Sequence, residues 1–191
     1  MKRILSIVLA FSMFMSLFAG MDISVFAEEV PTGMSDNMLW QYEMHDEGIE
    51  LINYLGSAAD VYIPSELEIV GVECAVIRLG NGLFENNDSL NSVTLGDGIL
   101  EIGSRAFYDA DNLVCILTNE QLTTIGNEAF YSCDKFNSII LYDALVSIGK
   151  DAFAECPNLT IWCNESTNGF NYAVENGISH EIINPSMEPE L

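Results

Sequence analysis

Residues 90–158 carry a pattern of apolar and polar positions that repeats every 23 residues, in the copies 90–112, 113–135 and 136–158. Apolar side chains occupy positions 1, 4, 10 and 13 of each copy, and glycine, alanine and phenylalanine occupy positions 14, 17 and 18. A fixed period with fixed residue chemistry is typical of stacked repeats, since one repeat alone cannot bury its apolar face. The pattern therefore predicts a solenoid.

Each repeat is predicted to begin with a short strand, because positions 4 and 6 are apolar in pairs such as Val93 and Leu95. Stacked copies of this strand form a parallel sheet with about 4.8 Å between neighbours. The glycine at position 14 suits a turn where a side chain would clash or where φ must be positive. The phenylalanines at position 18 are predicted to stack from repeat to repeat as an aromatic spine.

The segments on both sides of the repeats predict caps. Apolar and polar residues alternate from Leu39 to Ile52 around an Asp-Glu-Gly turn, which predicts a β-hairpin within a cap at 39–57. Residues 58–89 form an atypical first repeat, with an insertion around 69–74 predicted to be an extra strand pair. After residue 158 the pattern predicts a strand at 159–163 and a short helix at 171–177, within a C-terminal cap at 159–183.

The motif Ile-Gly-x-x-Ala-Phe recurs at 102–107, 125–130 and 148–153. It resembles the BspA-like (Treponema pallidum-type) family of bacterial leucine-rich repeat surface proteins, whose repeat reads LxxVxLPxxLxxIGxxAFxxCxx. The resemblance covers roughly residues 54–183 and departs from the family at position 7, where Gly96, Asn119 and Tyr142 replace proline. It implies a leucine-rich-repeat solenoid of the α/β class at 39–183. Short parallel strands, a return side of loops and short helical turns, a hairpin cap and a strand–helix cap are expected.

The N-terminus predicts export. Met1 to Arg3 is a basic region, and an apolar run to Ala19 follows it. Small residues at Val25 and Ala27 predict a signal peptide at 1–27 that is cleaved after Ala27. No cysteine lies near this site, so we expect no lipid anchor and a secreted or cell-surface location. Residues 28–38 are predicted to be a flexible leader, and 184–191, with two prolines, a disordered tail.

The charge of the chain limits its partners. It has 6 basic and 29 acidic residues, for a formal net charge of −23. Binding to nucleic acid or to an anionic membrane is not expected, because phosphate contacts require lysine and arginine. Asp109 and Asp111 place two carboxylates in one loop, but no complete calcium-binding spacing follows. No metal site is predicted, and calcium binding by the acidic loops is left open.

The sequence contains no recognisable catalytic constellation. Its two histidines, His45 and His180, are expected in opposite caps and exposed to solvent. Nucleophile elbows, phosphate-binding glycine loops and His-Glu-x-x-His zinc motifs are missing from the sequence. We therefore predict neither an enzyme nor a cofactor. Cys133 and Cys156 both occupy position 21, where the family pattern also has cysteine, and are predicted to be buried, reduced thiols that fill space.

Position 5 of each strand is predicted to point outward, because side chains alternate along a strand. This position forms a row that we call the outer row, consisting of Tyr62, Thr94, Leu117, Ile140 and Trp162. An apolar row on an open sheet indicates an interaction site, with tyrosine and tryptophan as anchors. Two other interpretations are that the N-terminal segment or another chain covers the row, or that leucine and isoleucine only favour strand formation.

Together with the family resemblance, the outer row predicts an exported adhesin-like module that binds an extracellular protein or glycan. The alternative is a structural or accessory envelope protein without a specific ligand, with calcium dependence as one version. The sequence does not indicate which ligand is bound, or the oligomeric state.

Overall fold

The computed structural model describes residues 32–35 and 38–183. The predicted signal peptide and C-terminal tail lie outside the described residues. Within them the chain forms, in order, β1 (Thr32–Met34), β2 (Trp40–His45), β3 (Gly48–Tyr54), β4 (Asp60–Ile63), β5 (Glu66–Ile69), β6 (Val72–Leu79), β7 (Ser92–Leu95), β8 (Glu101–Ile102), β9 (Cys115–Leu117), β10 (Thr124–Ile125), β11 (Ser138–Leu141), β12 (Ser147–Ile148), β13 (Thr160–Cys163), α1 (Asn168–Asn176) and β14 (Ser179–Ile182).

The repeats build two sheets along the stack. The first sheet has the order β1-β2-β3-β6-β8-β10-β12, with β5 paired to β6, and the second has the order β14-β13-β11-β9-β7-β4. Equivalent residues of successive repeats pair in parallel register, such as Val93 with Ile116 in the second sheet and Ile102 with Ile125 in the first. The predicted leucine-rich-repeat solenoid is therefore confirmed.

The aromatic spine forms as predicted. Phe84, Phe107, Phe130 and Phe153 are buried, and consecutive ring centroids lie 5.3, 4.9 and 5.1 Å apart. Both ends of the spine are covered by cap residues: Trp40 and Tyr54 pack on Phe84, and Tyr172 packs edge-on against Phe153. The caps thus bury the rings that would otherwise end the stack in water.

The glycine at position 14 is required for space. A Cβ on Gly126 would lie 2.4 Å from the backbone nitrogen of Ser104, and one on Gly149 would lie 2.4 Å from that of Asn127. Neither glycine is among the described residues with positive φ. Of the two reasons considered for this glycine, close approach of successive backbones is the one that applies.

The return side of the repeats consists of hydrogen-bonded turns in place of the expected short helical turns. Arg105 and Asp109 have φ of 57°, and Glu128 and Ser132 have φ of 53° and 59°. Because left-handed residues alternate with the other residues of the turns, backbone N–H groups of one repeat point at carbonyl oxygens of the next. The N–H of Phe107, for example, donates to the carbonyl oxygen of Ala129 at 2.8 Å. A third line of hydrogen bonds therefore connects the repeats alongside the two sheets.

The caps agree with the sequence in outline and differ in detail. β2 and β3 form the predicted hairpin, β5 and β6 form the predicted extra strand pair, and α1 ends at Gly177 with a left-handed φ of 67°. Residues 32–34, within the segment predicted to be a flexible leader, instead form β1 on β2. β14, which adds an edge strand to the second sheet, was not expected.

The cysteines at position 21 do more than fill space. The Cys133 thiol donates to the carbonyl oxygen of Phe107 at 3.0 Å, and the Cys156 thiol donates to that of Phe130 at 2.9 Å. Cys133 is fully buried, whereas Cys156 is only partly so. Contact with the Cys156 sulfur, together with burial, raises the pKa of the Cys133 thiol, which favours its protonated, weakly nucleophilic form. The same contact lowers the pKa of the Cys156 thiol.

We predict that both thiols stay reduced in the folded protein. Each one already donates a hydrogen bond to a carbonyl group of the preceding repeat, and a disulfide would remove both donors. Alkylation of the denatured, non-reduced protein followed by intact-mass analysis should add five alkyl groups, one for each cysteine of the chain. A mass with only three groups and a Cys133–Cys156 linked peptide would refute this prediction.

Candidate binding face

The register of the second sheet brings the five residues of the outer row together. Tyr62 pairs with Thr94, Thr94 with Leu117, and Ile140 with Trp162. Leu117 and Ile140 directly follow the paired residues Ile116 and Ile139. The row consequently crosses five adjacent strands, from β4 to β13, without interruption.

The side chains of the outer row lie on the outside of the sheet. Tyr62 is 61% exposed and Leu117 is 43% exposed, while the other three members are partly buried. The residues next to them along the strands are buried, including Val61, Ile116, Ile139 and Ile161. Adjacent side chains of one strand thus serve different purposes, as inner ones form the core and outer ones contact solvent.

A polar row runs beside the outer row. It occupies position 3 of these five strands and the equivalent position of β14, and it consists of Asp60, Ser92, Cys115, Ser138, Thr160 and Ser179. Asp60 accepts hydrogen bonds from Asn91 at 2.8 Å and Ser92 at 2.6 Å, and these bonds lower the pKa of its carboxyl group. The face therefore offers an apolar strip and, next to it, hydroxyl groups and a carboxylate that is ionised at neutral pH.

Sequence reasoning missed one member of this face. Because β14 pairs with β13, Glu181 lies next to Trp162 and extends the outer row by one strand. This strand could not be predicted because its four residues, Ser-His-Glu-Ile, are too few to show a pattern of polar and apolar positions. The strand also follows α1 directly. With Asp60 at one end and Glu181 at the other, carboxylates bound the apolar strip on both sides.

The histidines and acidic side chains of the described residues form no metal-binding group. Among residues 32–35 and 38–183, no group of three or more histidine, cysteine or acidic side chains is placed to hold a metal ion. His45 Nε2 lies 3.2 Å from a carboxylate oxygen of Glu50 and His180 packs edge-on against Phe170, so neither is simply exposed as expected. The described part of the chain also has no helix long and apolar enough to span a membrane.

The loop carboxylates considered for calcium form a column of like charge. Burial raises the pKa of Asp111, and the neighbouring Asp109, Asp134 and Asp88 raise it further. Lys135 opposes this effect. The described loops contain no metal-binding group of three side chains, so the calcium hypothesis gains no site from the structure.

The chain matches one known family and several solved structures. The sequence profile of the BspA type leucine rich repeat region matches residues 58–173 in six copies. A leucine-rich repeat protein from Bacteroides capillosus has a TM-score of 0.62 at 24% identity, covering 70% of this chain and 98% of that one. No curated protein matches the chain significantly.

Two longer proteins share the fold over part of their length. A leucine rich cell surface protein from Faecalibacterium prausnitzii has a TM-score of 0.55 at 19% identity, covering 73% of this chain and 46% of that one. The pneumococcal vaccine antigen PcpA has a TM-score of 0.53 at 24% identity, covering 69% of this chain and 32% of that one. At these identities the similarity extends to the fold alone.

Proposed function

We propose that this chain, which belongs to the BspA type leucine-rich repeat family, is an exported binding protein of the bacterial cell surface without catalytic activity. Its ligand is an extracellular protein or glycan, and the outer row is the surface that binds it. The observation that carries this proposal is the outer row itself, which crosses five adjacent strands on the outside of the second sheet and is apolar or aromatic at four of its five positions. The cell-surface and antigen names of two structurally similar proteins support the location.

The composition of the outer row favours binding over simple sheet formation. A solvated strand face normally carries hydroxyl or charged side chains, yet four of these five residues are apolar or aromatic. Tyrosine and tryptophan bury a large area with little loss of conformational entropy and are common anchors in interfaces. Both stand near the ends of the row, where they can fix the two ends of a ligand.

The size of the row limits the ligand. Four strand spacings separate Tyr62 from Trp162, which is a distance of about 19 Å. This length fits about six residues of an extended peptide or a short glycan chain. The neighbouring serine and threonine hydroxyl groups supply hydrogen bonds along the same length.

Capture by the purified mature protein tests the proposal. Immobilised protein is exposed to a panel of host matrix proteins and cell-wall glycans, and bound material is quantified. We expect the Leu117→Ser/Trp162→Ser variant to capture the ligand at least about a hundredfold more weakly than the wild type, because it removes the central leucine of the row and its tryptophan anchor. The melting temperature should change little, since both side chains lie outside the core.

A control variant removes the same kind of side chain elsewhere. Leu100 and Val146 are exposed, Val146 by 69%, and neither belongs to the second sheet. Leu100→Ser/Val146→Ser should therefore capture ligand like the wild type. Equal loss in both variants, or undiminished capture by Leu117→Ser/Trp162→Ser, would contradict the proposed surface. Failure of the wild type to capture anything would favour the structural or accessory role.

A further inference from the structure

A cavity lies at the C-terminal end of the solenoid, between the last full repeat and the C-terminal cap. It has a volume of about 890 Å³ and opens to solvent, and its lining includes Tyr131, Asp134, Ala154, Glu155, Cys156 and Tyr172. None of the outer-row residues lines it. A ligand in this cavity would therefore contact residues other than the outer row, although Ser179 at the end of the polar row belongs to the lining.

The cavity begins where a column of tyrosines stops. Position 19 of the three repeats holds Tyr108, Tyr131 and Ala154. The rings of Tyr108 and Tyr131 stack with centroids 5.2 Å apart and an angle of 7° between their planes. Alanine at the third position leaves no ring to continue the stack, and both Tyr131 and Ala154 line the cavity. The space beside Tyr131 is thus the space that one more planar group would fill.

The first tyrosine of the column shows which planar group this environment holds. The guanidinium carbon of Arg105 lies 3.8 Å from the centroid of the Tyr108 ring. The same guanidinium donates to Glu85 of the preceding repeat at 2.6 Å and to Glu128 of the following repeat at 3.3 Å. A cation on a tyrosine face, held by carboxylates from neighbouring repeats, is already part of this fold.

Tyr131, the second tyrosine of the column, has carboxylates nearby but no cation equivalent to Arg105. Asp134 and Glu155 line the cavity beside it, and no lysine or arginine is among the lining residues. Burial raises the pKa of the Tyr131 hydroxyl, and the negative charges of Glu155, Glu128 and Asp151 raise it further. The carboxylates of Asp134 and Glu155 in the lining, with no basic residue among the lining residues, favour a cation in this cavity.

We propose that the C-terminal cavity binds an arginine side chain of a partner polypeptide, with the guanidinium stacked on Tyr131 and paired with Glu155 and Asp134. Arginine fits better than lysine because its charged group is planar and presents several donors at once. The open mouth suits a side chain carried on a longer chain, whereas pockets for small ligands enclose most of the ligand surface.

Binding of short peptides to the mature protein tests this site. The probes are the acetylated and amidated peptides Gly-Gly-Arg-Gly-Gly and Gly-Gly-citrulline-Gly-Gly, which differ in charge at nearly constant shape. NMR shifts of the tyrosine ring signals give the affinities. We expect the arginine peptide to shift the Tyr131 signals and to bind at least about tenfold more tightly than the citrulline peptide.

Two variants locate the site. Glu155→Gln/Asp134→Asn should weaken binding of the arginine peptide at least about tenfold, while Glu73→Gln/Glu120→Gln removes the same charge elsewhere and should leave it unchanged. Ala154→Tyr should complete the tyrosine column, block the cavity and abolish binding. Ala154 is only partly buried, so this variant is expected to fold.

Several outcomes would overturn the proposal. These are equal affinity for the arginine and citrulline peptides, no binding to the wild type, and binding that persists in folded Ala154→Tyr. Agmatine, a free guanidinium compound, is the remaining probe. If it bound as tightly as the peptide, the cavity would be a site for small cations, and the assignment to a polypeptide would be wrong.

Discussion

Replacing Phe130 by alanine should lower the free energy of unfolding by roughly 3–5 kcal/mol. Phe130 is fully buried, and its ring stacks on Phe107 at 4.9 Å, Phe136 at 5.0 Å and Phe153 at 5.1 Å. These contacts come from the repeats on both sides, so the cavity left by truncation cannot close without breaking the strand and turn hydrogen bonds that fix the repeat spacing. The loss would be a large share of the stability of a single domain.

Thermal unfolding followed by circular dichroism measures this effect, and a fall in melting temperature of roughly 10 °C is expected. Tyr62→Ala is the matched control, because it removes an aromatic ring of similar size that is 61% exposed. Its effect should stay within about 0.5 kcal/mol. A shift of only a degree or two for Phe130→Ala would show that the ring is not a core residue.

Adding one methyl group at Gly126 should be nearly as damaging as removing the ring. The new Cβ would lie 2.4 Å from the nitrogen of Ser104 and 2.6 Å from the carbonyl carbon of Gly103, which are both backbone atoms. Backbone hydrogen bonds of 2.8 Å from Gly126 to Ile102 and from Gly149 to Ile125 hold these repeats at their spacing. Gly126→Ala must stretch that spacing, and we expect a loss of about 3 kcal/mol, at the upper end of the usual range for overpacking.

Chemical denaturation of Gly126→Ala and of a control glycine variant tests this explanation. Gly71 lies at a hairpin tip with φ of 75°, and nothing would lie within 4 Å of an added Cβ. Gly71→Asn should therefore be close to neutral, because asparagine tolerates the left-handed conformation. Stability of Gly126→Ala equal to that of the wild type would mean that the repeats are not in close contact at this position.

The fold could be predicted from the sequence because every repeat encodes the same contacts. A residue such as Ile125 or Phe130 packs against its own equivalents, so the register of neighbouring strands follows from the period alone. The outer row could be placed for the same reason, as position 5 alternates with buried neighbours along every strand. The strand around positions 4–6 was placed in this way, whereas the two-residue strand that recurs at positions 12–13 and forms the first sheet was not predicted.

Features that occur once, or that depend on backbone conformation, could not be predicted in this way. β14 follows a helix and has no equivalent in the repeats, so Glu181 was missed beside Trp162. The positive φ of Arg105 and Asp109 could not be predicted, because neither residue type indicates that conformation as glycine does. The hydrogen bond from the Cys133 thiol to Phe107 depends on a side-chain direction that repeat spacing does not specify.

The strands of the second sheet are proposed to hold the fold together with their inner face and to bind a ligand with their outer face. Thermal melting of two double variants on β9 and β13 tests this division most directly. Leu117→Ser/Trp162→Ser changes the outer face, and Ile116→Ser/Ile161→Ser changes the buried residues next to them. We predict that the outer variant melts within a few degrees of the wild type, whereas the inner variant loses well over 10 °C or does not fold. A comparable loss of stability in the outer variant would contradict the division, since the outer row would then belong to a core and would not be available to a ligand.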